Sequence, residues 1–360
     1  MSLELVPTPQ PPRLGVPDDW YVACESRALG SKPLGVTMLG HRLVLFRDTG
    51  GRARALLDRC SHRNVPLSMG RVCEGQVECP YHGWRFDGDG RCTHVPGLLA
   101  EDREQGARGR SVQSVETREQ SGYVWVYSTL GARPEREPFP LPLVDDPAYT
   151  TVNHVQDFEG SVHAVAENAL DVPHTAFVHR GLFRSGGEKR GIDVDFQRYA
   201  DRVVAEYIGE PRPDGVIGRV LSPGGGVVRH WDRFFLPCIA QVEYQLGEDS
   251  HVVATTALTP MAEHHTRMFA SVSFRLPIPA GAVARLFKPI GLRILNQDVR
   301  ILARQMENIR AFGGPRYAST KLDVLGPTIE KLLRAAERGE RAEPAASAEE
   351  PTRRSLRIHV

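Results

Sequence analysis

Long apolar runs are missing from this 360-residue sequence, and with them any helix of the length a bilayer requires. Met1 to Pro17 has no basic start followed by an apolar core, so no export signal is expected. Neither sign of charge is in surplus. The 45 basic residues face 44 acidic ones, which argues against a nucleic-acid groove or an anionic membrane surface as partner. Cysteine is scarce too. Cys24, Cys60, Cys73, Cys79, Cys92 and Cys238 are too few for a disulfide scaffold, and a cytoplasmic location is the expectation. No G-x-G-x-x-G turn follows a strand. Gly224-Gly225-Gly226 is too short and wrongly set, so no nicotinamide or flavin site is expected in this chain.

What is present reads as two unlike halves. From Asp18 onward, short strands are punctuated by turns: Arg42 to Arg47, Arg52 to Leu57, Gln76 to Cys79, Trp84 to Phe86 and Tyr123 to Tyr127, with Asp87-Gly88-Asp89-Gly90 as a hairpin signal. This predicts a small all-β domain over 18–132. A proline-rich stretch over 133–150 reads as a linker or extended crossover. Over 151–340 a helix at Ser161 to Asp171 precedes longer strands (Arg202 to Ile208, Val227 to Leu236, Ile239 to Leu246, His251 to Leu258, Arg267 to Phe274). Helices follow at Ala282 to Phe312 and Pro327 to Arg338. Strands grouped first and helices later predict an α+β domain on an antiparallel sheet. The Ala-, Glu- and Arg-rich stretch 341–360 is expected to be a mobile tail.

Two constellations carry chemistry. Cys60-Ser61-His62 is followed, after sixteen residues, by Cys79-Pro80-Tyr81-His82, each pair beside a turn-rich segment. Thiolate and neutral imidazole are ligands for soft or borderline metals. The pairs read as coincidence, as a tetrahedral Cys2His2 zinc site, or as a Rieske 2Fe-2S cluster with two cysteines on one iron and two histidines on the other. Zinc modules usually pair Cys with Cys and His with His, so mixed pairs favour the cluster. The second constellation is Glu167 to His179, within which Asn168, Asp171 and His174 share a helix face. His179 lies about 140° further round an ideal helix, so the two histidines meet at one metal only if the helix breaks, and Pro173 supplies the break. A third, carboxylate ligand would complete a 2-His-1-carboxylate set. Asp298 is the candidate, because its helical neighbours Ile294, Leu295, Ile301 and Leu302 are all apolar and a buried carboxylate wants a cation.

With Trp84 after His82-Gly83, the first motif resembles the Rieske domain of ring-hydroxylating oxygenases, and the second resembles the mononuclear-iron motif of their catalytic domains. The resemblance is to the α-only members, of the aromatic O-demethylase and amine N-oxygenase types. It implies that Cys60, His62, Cys79 and His82 bind the cluster and that His174, His179 and Asp298 bind Fe(II). It also implies that Asp171 bridges His82 of one subunit to His174 of its neighbour in a homotrimer, and that Asn168 lies near the iron. The activity implied is monooxygenation of a small, largely apolar substrate with O2, by hydroxylation, demethylation or N-oxygenation. Electrons would come from NAD(P)H through a separate reductase, with or without a ferredoxin. An electron-transfer protein and a zinc-stabilised binding module are the alternative readings. His230, Trp231, His251, Phe269 and Phe287 are the candidates for the pocket lining.

Overall fold

The computed structural model describes residues 14–99, 107–179, 191–210, 228–248, 250–276, 280–340 and 351–359. The N-terminal half is all-β. Its strands are β1 (Trp20–Glu25), β2 (Leu34–Met38), β3 (His41–Arg47), β4 (Ala53–Leu57), β5 (Arg71–Cys73), β6 (Gln76–Glu78), β7 (Arg85–Phe86), β8 (Cys92–His94), β9 (Ser114–Val115), β10 (Thr117–Gln120) and β11 (Tyr123–Tyr127). They form three small antiparallel sheets, ordered β1-β11-β10, β2-β3-β4-β9 and β5-β6-β7-β8. The second and third of these share a separate small core of Val44, Phe46, Leu56, Cys60, Leu67, Val77, Cys79, Phe86 and Val112.

The C-terminal half is α+β. Its strands are β12 (Thr150–Glu159), β13 (Gly191–Arg198), β14 (Arg202–Ile208), β15 (Val228–Phe235), β16 (Ile239–Leu246), β17 (Ser250–Ala262), β18 (His265–Arg275) and β19 (Thr352–His359). They make one antiparallel sheet in the order β12-β18-β17-β16-β15-β14-β13-β19. The helices are α1 (Val162–Leu170), α2 (Thr175–Val178), α3 (Ala280–Ala311) and α4 (Gly326–Glu337). Alternation explains the sheet: Val203, Ala205 and Tyr207 on β14 and Val228, His230, Asp232 and Phe234 on β15 are all buried, with their neighbours turned the other way. Helix α1 lies against this buried face and against α4.

One large core runs through both halves, joining Tyr123 and Trp125 of β11 to Phe269 and Ala270 of β18. Polar contacts pin the same seam: the Tyr123 hydroxyl lies 3.0 Å from Ser271 Oγ, and Thr259 Oγ1 donates to the Val22 carbonyl at 2.7 Å. The stretch between β11 and β12 is irregular, with turns at 142–145 and 147–148. Phe139, Leu141 and Val144 pack into the core, and Trp20 Nε1 donates to the Arg136 carbonyl.

The structure corrects the sequence reading of the C-terminal stretch. Residues 352–359 are not a mobile tail but strand β19, paired along its whole length with β13, Leu356 opposite Val194 and Ile358 opposite Ile192. The alternation of Leu356 and Ile358 was hidden by flanking arginines. Residues 341–350 of that stretch lie outside the described residues. Cys73 and Cys92, which belong to neither ligand pair, are half-buried.

Candidate functional site

Two loops meet at the tip of the N-terminal half. The first follows β4. Cys60 N–H donates to the Val65 carbonyl and Asn64 N–H returns to the Cys60 carbonyl, which turns the chain with Asn64 at φ 60°. The second joins β6 to β7, with Cys79 N–H on the Trp84 carbonyl, Gly83 N–H on the Cys79 carbonyl, and Gly83 at φ 71°. The cysteines are buried in the tip core, while the His62 and His82 rings sit 4.6 Å apart between centroids, further out. Trp84 lies flat on His62, at 4.6 Å and 4°.

The donors fit a two-iron cluster. Burial pushes the Cys60 thiol up to about 11, and the neighbouring Cys79 sulfur adds to the effect, so a bound cation would be what holds Cys60 as a thiolate. His62 Nδ1 is buried and has no hydrogen-bond partner, an orphan that a metal bond would satisfy. Partial desolvation, His82 and Arg63 hold the His62 pKa below its ordinary value, which keeps the ring in the neutral form a ligand requires. Among the described residues, the group of three or more ligand atoms within 4.8 Å of one another is elsewhere in the fold. The Cys and His pairs therefore do not converge on one point, as a tetrahedral zinc ion would demand.

The compact group is His174, His179 and Asp298. Helix α1 is capped at its start by Ser161, whose Oγ accepts from Ala164 N–H at 3.2 Å, and it stops at Asp171, two residues before Pro173. The chain then turns into the short α2, with His174 at its start and His179 at its end. This break brings the two Nε2 atoms to 3.2 Å from each other. Asp298 Oδ1 reaches them from α3, at 3.6 Å from His174 and 3.3 Å from His179. Three adjacent vertices of an octahedron with bonds of about 2.1 Å stand about 3 Å apart, so the spacing suits three ligands on one face of a metal.

Both tautomers are set. The Gln297 amide oxygen accepts from His179 Nδ1 at 3.0 Å, and the Asp171 backbone carbonyl lies against His174 Nδ1. Each ring therefore turns the Nε2 lone pair inward, the arrangement in which metal-binding histidines are held. Burial alone would lower the His174 pKa, but hydrogen bonds to Asp171 and Asp298 outweigh it and push it to about 9. The pocket is built around one positive charge, carried by a proton or by a metal.

Asn168 Nδ2 donates to Asp298 Oδ1 at 3.5 Å, and Asp171 Oδ2 accepts from His174 N–H at 3.2 Å. Asp298 is buried as expected, but its stripe on α3 runs through Leu302 and Met306; Ile301, expected on the buried face, is 48% exposed. A cavity of about 310 Å³ adjoins the site, lined by Asn168, Asp171, His174 and Tyr207 among others. The pocket candidates fare less well. Phe269 packs edge-on against Tyr123 in the seam between the halves. Trp231 carries Arg229 and Arg233 on its ring, His251 bonds Tyr149 and Glu243, and Phe287 has a side chain outside the described residues. Tyr207 escaped the sequence reading, and so did the hydrogen bond by which Gln297, the neighbour of Asp298, holds His179.

The model of the Rieske 2Fe-2S domain matches residues 19–108, and that of the vanillate O-demethylase oxygenase C-terminal domain matches residues 158–338. The chain belongs to the Rieske non-heme iron oxygenases. Among Rieske oxygenase relatives, the dicamba O-demethylase oxygenase component of Stenotrophomonas maltophilia is 37% identical over 45% of this chain and 47% of its own length. Aminopyrrolnitrin oxygenase of Pseudomonas fluorescens is 33% identical over 71% of this chain and 74% of its own. The fold matches a crystal structure of dicamba monooxygenase bound to dicamba with a TM-score of 0.75 at 26% identity, over 90% of this chain and 98% of that one. The chain spans about half the length of the first curated Rieske relatives it matches. Among the described residues no helix is long and apolar enough to cross a membrane.

Proposed function

We propose that this chain is the oxygenase component of a multicomponent Rieske monooxygenase, acting with O2 on a small, largely apolar substrate. The convergence of His174, His179 and Asp298, with both Nε2 lone pairs turned inward, is the observation that carries this reading. Cys60, His62, Cys79 and His82 would hold the cluster, and His174, His179 and Asp298 the iron. When bound, the cluster supplies single electrons and the iron supplies the activation of dioxygen.

The chain's own side chains do the positioning. Gln297 and the Asp171 carbonyl fix the two imidazoles, Asn168 holds the Asp298 carboxylate, and the cavity beside His174 gives a substrate room. The Asp171 carboxylate lines that cavity and is one-third exposed, available to a group arriving from outside the protomer. In a head-to-tail homotrimer that group would be His82 of a second copy, which Asp171 would link to His174. Electrons would come from NAD(P)H through a separate reductase, with or without a ferredoxin.

The test is oxygen uptake and product mass with a surrogate reductase and a panel of methoxyaromatics, arylamines and alicyclic compounds. Product carrying one atom from labelled O2, formed on one substrate class, is the expected result; oxygen uptake with no product from any class counts against the reading. Asp171→Asn should retain both metals and slow electron passage between them by at least about tenfold, the scale on which partners of metal-bound histidines act. Rapid-mixing spectroscopy of cluster reoxidation measures it, and an unchanged rate removes the bridge.

A further inference from the structure

Tyr207, His230 and Tyr244 face one another across β14, β15 and β16. Their rings form one stack, at 4.6 Å and 20° between Tyr207 and His230 and at 4.0 Å and 17° between His230 and Tyr244. The central imidazole is 1% exposed, and each of its nitrogens meets a carboxylate: Nδ1 lies 2.7 Å from Glu210 and Nε2 lies 2.9 Å from Asp232. A neutral imidazole offers one N–H and one lone pair, and ionised carboxylates only accept. The array therefore holds an extra proton, either on the ring or on one of the acids. The two phenol faces favour the ring.

Burial pulls the His230 pKa down, but Asp232 and Glu210 reverse this and hold it at about 9. Burial in turn drives the Asp232 carboxyl up against the pull of His230. Asp232 also hydrogen-bonds the Tyr207 hydroxyl. Tyr207 is the member that reaches the cavity lined by Asp171 and His174, and Glu210, at the far end, keeps an 8% exposed side chain.

We propose that Glu210, His230, Asp232 and Tyr207 form a proton relay that ends at the Tyr207 hydroxyl in the wall of the candidate iron cavity. The inference rests on the oxygenase reading. Putting one oxygen atom into a C–H bond and reducing the other to water consumes two electrons and two protons (R–H + O2 + 2e− + 2H+ → R–OH + H2O). The reductase supplies the electrons. The relay supplies protons: the Tyr207 hydroxyl gives its proton to the cavity and is refilled from Asp232, which is refilled through His230 from Glu210. Glu167, Asp171 and Asp323 are the other ionisable acids in the cavity wall, and none of them stacks on or hydrogen-bonds the His230 ring. Tyr207→Phe keeps the stacked ring and removes only the hydroxyl, so it separates the relay from these acids.

In the reconstituted holoenzyme, Tyr207→Phe should lower product formation on the order of 10²-fold, the scale of a lost general acid. Iron, sulfide and substrate affinity should stay as in the wild type, with consumed oxygen appearing as hydrogen peroxide. Weaker substrate binding with the product yield per O2 intact would make Tyr207 a mere wall of the pocket and overturn the relay. A second readout needs no turnover. NMR of the full chain labelled at histidine should find His230 doubly protonated up to about pH 9, with a midpoint that moves in Tyr207→Phe because ring and hydroxyl share Asp232. A midpoint near the ordinary histidine value, or one indifferent to Tyr207→Phe, ends the relay even if the wild type oxygenates its substrate. A wild type that oxygenates nothing while its His230 midpoint answers to Tyr207 would sink the oxygenase reading and leave the hydrogen-bonded array standing.

Discussion

Asp298→Ala is expected to yield a folded protein that keeps its cluster absorption and retains no mononuclear iron. Asp298 offers the one carboxylate oxygen of the compact group, 3.3 Å and 3.6 Å from the two Nε2 atoms. Without it, two neutral imidazoles face each other with no anion to balance a divalent cation. Losing an outer partner of a metal ligand costs about 10- to 100-fold in affinity, so losing a direct ligand should cost more than about 100-fold. Substrate-dependent oxygen uptake should fall to background with it. Iron analysis after dialysis, read beside the visible spectrum, measures both halves of this outcome. Full iron occupancy in Asp298→Ala would mean that another group completes the ligand set.

The complementary result is expected from His62→Ala. The visible absorption and the acid-labile sulfide should disappear, while His174, His179 and Asp298 still take up ferrous iron. One of the two imidazoles is lost, and with it the ring that lies flat on Trp84. The damage should stay local, because Cys60 and Cys79 belong to the small tip core and not to the core that joins the two halves. Turnover should be absent, since no electron reaches the iron. Sulfide and iron assays on the purified variant check this; a protein that keeps its sulfide would remove His62 from the ligand set.

How far the sequence could be read depended on the range of the signal. The paired Cys-x-His and Cys-x-x-His loops are local, and the positive-φ turns at Asn64 and Gly83 follow from the residue types present there. The break before His174 was also legible, because Pro173 ends α1 by a rule that acts within one turn. Asp298 was found from its apolar helical neighbours, yet the buried line of α3 passes through Met306 and leaves Ile301 outside, because packing, and not period alone, decides which side of a stripe is covered. Strand register was not legible. That Tyr207, His230 and Tyr244 stack depends on three strands aligning across stretches of sequence that carry no mark of their pairing. The strand at 352–359 was missed for a similar reason, since two apolar residues among arginines look like a solvated tail until the partner strand is known.

That strand has a bearing on how the molecule comes together during synthesis. β19 lies beside β13, with Ser355 near Asp195 although 160 residues separate them in the chain. Until residues 352–359 have left the ribosome, the margin of β13 offers a row of bare amide and carbonyl groups on which a neighbouring nascent chain can add itself. Among the described residues, this segment is translated after the sheet's other strands. Arg353, Arg354 and Arg357 place like charges along that finished border, so two completed copies repel each other where an unfinished one would adhere.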